Sequence, residues 1–285
     1  MPPALTIARL TIWEASRRKV LLALVILTVL VIAATGWGFT KLWDTQSGAR
    51  ASETEVRLIA SQLLIVITFM FAGVLALSSV FVAAPSISAD LESGLLLAML
   101  ARPVRRLDLL LGRWLGLAVL IICYAAFAGA LELLVLWATT GYVPPHPVTL
   151  VVFVAGQGLI LVSLALALST RLAGMAGGII ALVGYFVAWI GGIVGGFGQA
   201  LGNESLKAAG TIINLLLPTD GLWRGAVYAM EPASVLAAIQ TAGAAGAANP
   251  FGAAHPPPVT FLAWSVFWVV AVLGLAYWSL RHRQI

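Results

Sequence analysis

The sequence predicts an all-α membrane protein with six transmembrane helices, and three observations lead there. Of its 285 residues 61% are hydrophobic and only 9% charged, with a mean hydropathy of +1.03. A soluble domain covers its surface with about 25% charged residues, so most of this surface is solvated by lipid. Six windows are continuously apolar over the roughly 20 residues that a helix needs to cross about 30 Å of hydrocarbon. A membrane barrel would show short alternating segments instead. The basic residues complete the argument. With an even number of spans both termini share a side. Placing that side in the cytoplasm puts Arg9, Arg17, Arg18, Lys19, Arg102, Arg105, Arg106, Arg113, Arg171, Arg281 and Arg283 inside, which is 11 of the 16 Lys and Arg. Five or seven spans would move Arg281 and Arg283 outside. The net charge of +5 therefore reflects topology and does not point to nucleic acid.

The elements follow in order. In residues 1–19, Leu5, Ala8, Ile12 and Ala15 recur at helical spacing among Thr6, Arg9, Glu14, Arg17 and Arg18, which predicts an interfacial helix in the inner headgroup region. Arg17-Arg18-Lys19 ahead of an apolar run also resembles a signal peptide. A signal core is only about 7–15 residues, and the run over 20–41 is longer, so it reads as an uncleaved first span. The second span covers 58–84, the third 109–139, the fourth 148–169, the fifth 173–198 and the sixth 259–280. Thr170-Arg171 leaves only a tight inner turn between the fourth and fifth spans. An inner loop fills 85–108 and an outer loop 199–258. Within the outer loop, 206–217 is apolar but too short to cross, and Pro218 stops it. Trp223 and Tyr228 are of the amphipathic type found at membrane interfaces. Short outer-leaflet helices are expected there, then an Ala/Gly linker over 242–254. The single cysteine, Cys123, excludes an intrachain disulfide and a CxxC site. No internal repeat is visible, which weighs against an inverted-repeat secondary transporter.

The inner loop is the only stretch shaped like a handle for a soluble partner. Asp90 and Glu92 open an apolar run, Leu95-Leu96-Leu97-Ala98-Met99-Leu100, and Arg102, Arg105 and Arg106 close it. Both placements complement a helix dipole. Pro103 disfavours helix at Arg102, leaving about a dozen residues, or roughly 18 Å. So apolar a helix needs cover. Glu92-x-Gly94, Pro103 nine residues on, Arg106 three later, and Gly112-Arg113 together resemble the inner loop of ABC type-2 exporter permeases. In that family the last pair is usually Gly-Lys, so Arg113 is a mild departure.

The resemblance covers nearly the whole length, though only the loop is motif-grade. It implies that the loop is a coupling helix seated on a cytosolic ABC ATPase subunit, a role carried onto Asp90, Glu92, Gly94, Pro103 and Arg106. It also implies a second permease copy, as a homodimer or with a related chain. ATP and Mg would lie on the partner subunit and no cofactor on this chain. The expected setting is a prokaryotic plasma membrane with both termini cytoplasmic. The chain itself has no Gly-x-x-x-x-Gly-Lys-Ser/Thr phosphate loop.

Two further features are candidates. The fifth span carries Gly174, Gly178, Gly191, Gly192, Gly195 and Gly196 in small-xxx-small spacing, which lets helix backbones approach closely. They suit packing within the chain, or a two-fold interface. Glu132 lies in the third span, where a charge at mid-membrane costs on the order of 2.5–3.5 kcal/mol. It reads either as an outer-leaflet residue satisfied by water or by Thr139 and Thr140, or as part of a transport path; Gln62 and Gln157 are weaker candidates of the same kind. His146, His255 and His282 fall outside the spans, so no clustered intramembrane catalytic or metal set is expected and the chain is not expected to be an enzyme. The leading expectation is the permease subunit of an ATP-driven exporter. The alternatives are a standalone secondary transporter or channel, and a non-transporting scaffold.

Overall fold

A computed structural model describes residues 3–16, 19–43, 52–92, 105–243, 246 and 249–282, and among them every regular element is a helix. They are α1 (Pro3–Ser16), α2 (Lys19–Thr40) with a 3-10 turn at Lys41–Trp43, α3 (Glu53–Ala83), α4 (Pro85–Glu92), α5 (Arg106–Thr140), α6 (Pro147–Ser169), α7 (Gly174–Ala200), α8 (Glu204–Leu216), α9 (Thr219–Met230), α10 (Ala233–Ala242) and α11 (Val259–Arg281).

Local chemistry sets the boundaries. Ser52 and Glu55 form a capping box at the start of α3: the Glu55 backbone N–H donates to Ser52 Oγ at 3.3 Å, and the Ser52 N–H donates to Glu55 Oε2 at 2.9 Å. Gly141, at φ 68°, provides the left-handed residue that closes α5. Pro147 opens α6 at a position where a missing N–H costs nothing. Asn203 Oδ1 accepts from Ser205 and Leu206 to cap α8.

Five of these helices are long and apolar enough to cross a membrane: Thr54–Ser88, Arg106–Thr140, Pro147–Ser169, Gly174–Ala200 and Val259–Arg281. The apolar stretch of α2, Leu24–Thr40, is shorter. The chain is thus a multi-pass helical membrane protein, with five such helices among the described residues where the composition predicts six. α6 is the axis of the bundle. Its Leu161, Val162, Ala165 and Leu166 are fully enclosed by α3, α5, α7, α9 and α11. The outward faces are what water would not tolerate: Met175, Ile179, Val183 and Ile190 on α7, and Val259, Val266 and Val270 on α11, are all half or more exposed.

Three expectations need correction. The second span does not give way to a loop at 85. Ala84 stays helical, at φ −57° and ψ −44°, and the helix runs through Pro85 to Glu92 as α4. Pro85 sits at a first-turn position, Ser86 Oγ donates to the Ala83 carbonyl at 2.7 Å, and Ile87 is fully buried. Trp223 is no interfacial ring. It is 2% exposed, in an aromatic cluster with Phe69 (centroids 5.3 Å apart), which also meets Trp189 and Phe251. The second half of the expected linker is anchored to that cluster, because a buried indole N–H requires an acceptor. Trp223 Nε1 finds it on the Pro250 carbonyl at 3.1 Å.

Candidate functional site

At one end of the bundle, four elements meet the flanks of the inner loop. α1 lies along the start of α5 in a notch made by Gly112 and Gly116. A Cβ on Gly112 would stand 2.7 Å from the Ala4 carbonyl oxygen, and one on Gly116 would stand 2.8 Å from that of Ala8. Ile7, Ala8, Thr11 and Ala15 are buried by this contact, and Arg113 Nη1 donates to Glu14 Oε2 at 2.8 Å. The glycine of the Gly112-Arg113 pair therefore admits the N-terminal helix, and its arginine tethers that helix.

Arg106 begins α5 and turns inward. Its Nη1 donates to the carbonyls of Leu280 and, at 3.0 Å, Arg281. It thereby satisfies the carbonyls left open at the C-terminus of α11 and complements that helix dipole. At the adjacent residue of α11, Ser279 Oγ receives Thr170 Oγ1 at 2.9 Å and Arg171 Nε at 2.6 Å from the α6–α7 turn. The end of α11 is thus a junction for two inner connections.

Asp90 and Glu92 fall in the last turn of α4, whereas the dipole argument placed them at a helix start. The acidic residue in the first turn of α5 is Asp108. Gly94 and Pro103 lie outside the described residues.

The glycines of α7 approach elements of the same chain. A Cβ on Gly174 would meet Ser88 Oγ and Pro85, one on Gly178 would meet Ala84, one on Gly191 would meet Ile213, and one on Gly195 would meet Gly210. Gly196 is buried. At Gly192 a Cβ would lie 1.9 Å from Asp220 Oδ2, so the missing side chain is where the carboxylate sits. Arg224, one turn on, donates to Asp220 Oδ2 through Nε and to the Gly192 carbonyl through Nη2, both at 3.0 Å. Burial pushes the Asp220 carboxyl up, and Arg224 pulls it back.

At the far end of α9, Glu231 is 1% exposed. Its Oε2 accepts only a long 3.4 Å bond from the Ala253 N–H, and Oε1 has no partner. Burial pushes this carboxyl up to about 7, against a smaller lowering by that N–H. Tyr142, whose hydroxyl donates to the Met230 carbonyl at 2.7 Å, is pushed up to about 12 by burial and then by Glu231. The Asp220–Arg224–Gly192 lock was absent from the sequence reading. Its one signal was an acid and a base four residues apart in an otherwise apolar segment.

Glu132 is 5% exposed, on the face of α5 turned toward α3 and α6, and its Oε1 has no partner. Thr139 and Thr140 donate to the carbonyls of Val135 and Leu136 in their own helix. Gln157 is buried with Nε2 unpartnered, and Gln62 is exposed.

These groups can seat a helix, tie helix ends together and hold buried charge. Among the described residues, no group of three or more His, Cys, Asp or Glu stands close enough to hold a metal. A family model described as ABC-2 family transporter protein matches residues 5–284. No curated protein matches the sequence.

Proposed function

The chain belongs to the ABC-2 transporter family, and from that premise we propose that it is the permease subunit of an ATP-driven exporter. It lacks a phosphate loop, so the ATP and its Mg belong to separate cytosolic ATPase subunits, and this chain performs no catalysis of its own. On this reading α2 also crosses, as the first of six spans, both termini are cytoplasmic, and the membrane is a prokaryotic plasma membrane.

The observation that carries the proposal is the junction at one end of the bundle. The flanks of the 85–108 loop, the N-terminal helix, the α6–α7 turn and the end of α11 are joined there by Arg106, Arg113, Thr170 and Arg171. Force applied to the loop enters α3 through α4 and α11 through Arg106. Asp90, Glu92, Gly94 and Pro103 are assigned to the ATPase contact. Arg106 is assigned to transmission, since its guanidinium is engaged on the Leu280 carbonyl.

A second permease copy completes the path. Because the glycines of α7 face inward, that helix offers a partner its apolar face of Met175, Ile179, Val183, Phe186 and Ile190.

The test is co-expression of the tagged chain with its cognate ATPase, followed by purification and measurement of hydrolysis. Co-purification with vanadate-sensitive hydrolysis is expected. Glu92→Ala should lose the partner, whereas Arg106→Ala should keep it and lose stimulation. A monodisperse chain that never captures an ATPase would overturn the reading in favour of a standalone transporter.

A further inference from the structure

Three small cavities lie on a single stripe of α5. The first, of about 20 Å³, is lined by Thr68, Phe71, Leu75, Tyr124, Leu150 and Glu132, among others. The second, also about 20 Å³, is bounded by Leu24, Ser78, Ser79, Val82, Leu117 and Tyr124. The third, of about 10 Å³, lies among Thr11, Glu14, Val82, Ser86, Arg113 and Leu117. Each shares wall residues with the next: Tyr124 separates the first from the second, and Val82 with Leu117 separates the second from the third. Among their α5 residues, Arg113, Leu117, Ile121, Tyr124, Ala128 and Glu132 recur every three or four positions and so form one face, with Leu120, Ala125 and Gly129 beside it. From Arg113 to Glu132 that face is about 28 Å long at 1.5 Å per residue, close to the hydrocarbon thickness of about 30 Å.

The polar groups along this face are arranged for water. Glu132 Oε1 and Thr68 Oγ1, both in the wall of the first cavity, are buried with no hydrogen-bond partner. Leaving such a group unsatisfied costs about 1–3 kcal/mol, and a space of about 10–15 Å³ is enough for one water's centre. The cavity thus has both the room and two orphaned groups. Thr28 donates to the Leu24 carbonyl at 2.8 Å, so in its 2.6 Å contact with Tyr124 the tyrosine hydroxyl is the donor. That leaves the Tyr124 oxygen free to accept from a water on either side. Ser78, Ser79, Ser86 and Thr11 each donate to a carbonyl of their own helix and keep lone pairs for further acceptance.

We infer that the α3–α5 seam holds a file of ordered waters, one in each of the three cavities between the Glu14–Arg113 pair and Glu132, and that Glu132 exchanges its proton with the α1 side of the membrane as waters step from one cavity to the next past Tyr124, Val82 and Leu117. A proton reaching Glu132 Oε1 leaves the adjacent water, which is replenished along the file from bulk solvent, so no other reactant is needed. The file does not depend on the transporter reading. Only the identity of the α1 side as cytosol does.

The experiment is radiolytic hydroxyl labelling of the purified full-length chain in nanodiscs, read by mass spectrometry. Water held against a buried side chain leads to its oxidation, so Leu75, Leu117 and Leu150 should be oxidised several-fold faster than Leu161 and Leu166. All five are buried, but the last two line none of the three cavities. Equal labelling of the two sets overturns the file, and this comparison needs no variant to fold. Proton exchange is read by infrared spectroscopy, taking the wild type minus Glu132→Gln to isolate the Glu132 carboxyl signal. That signal should shift on transfer to D2O, and Ser78→Leu, which fills the middle cavity, should delay the shift. A Glu132 signal indifferent to D2O overturns the exchange, as does an undelayed shift in the filled variant.

Discussion

Asp220 is a carboxylate 3% exposed among apolar neighbours, made tolerable by one guanidinium. Removing one partner of a buried pair strands the other, at about 3–5 kcal/mol; Arg224 is 23% exposed, which places its loss toward the lower value. Arg224→Met should therefore lower the thermal unfolding temperature sharply, and Asp220→Leu with Arg224→Met should recover most of the loss. Equal damage in single and double variants would show that the pair holds nothing.

Glu231 makes a different prediction. Unfolded, it titrates at about 4.3; folded, burial raises it to about 7. The folded chain holds the extra proton between those values. Stability is therefore full below the unfolded pKa and lost as pH rises through 7. The fall in unfolding temperature from pH 5 to pH 8 should be smaller in Glu231→Gln than in the wild type. Parallel curves would remove Glu231 from the account.

For the elements, the most informative contact is α1 on α5. Two glycines one turn apart bring the helices to backbone distance, and a side chain at either would strike a carbonyl of α1. Gly116→Leu should lift α1 off and let it unfold, so that tryptic cleavage at Arg9, already exposed but held in a helix, rises several-fold while the bundle stays resistant; unchanged cleavage would mean that α1 is held elsewhere. The helix itself was legible in the sequence, because its apolar residues keep a 3.6-residue period. Its seat was not, since Gly112 and Gly116 carry no period and read equally well as lipid-facing. The long helices were legible from their continuous apolar runs, with bounds within a few residues except at the end of the second; five are long and apolar enough to cross a membrane, and the apolar stretch of α2 is shorter. After the second span a loop was expected from 85 onward, but the chain stays helical to Glu92, with Pro85 at the head of a helical segment where it costs no hydrogen bond. Trp223 was misplaced because an amphipathic ring suits an interface and a hydrogen-bonded core alike, and only the Pro250 carbonyl decides between them. The loop motif pointed to the family from six residues, while the inward turn of Arg106 depends on a partner 174 positions away, which no local pattern can reveal.

The whole molecule is ordered across its thickness. The α1 end joins helix termini through arginines, the middle is largely apolar outside the α5 stripe and Gln157, and the opposite end is closed by α8 and α9, folded back against α7. The two ends are built differently. At the first, charged groups meet backbone carbonyls at helix ends, contacts that a rotation of one helix can break and remake. At the second, side chains fill notches in a helix shaft, contacts that admit no intermediate position. A permease that transmits a stroke from one side needs the first kind of joint where force enters and the second where the path is sealed.

The notch at Gly192 also constrains descent. Because a methyl group there would fall 1.9 Å from the Asp220 carboxylate, position 192 cannot gain a side chain while that carboxylate remains. In a lineage, any residue larger than glycine at 192 must arrive with, or after, a loss of the carboxylate at 220. The base at 224 is then released, since its acceptors are Asp220 and the carbonyl of Gly192. In an alignment of relatives, a residue larger than glycine at 192 should occur only where position 220 carries no carboxylate.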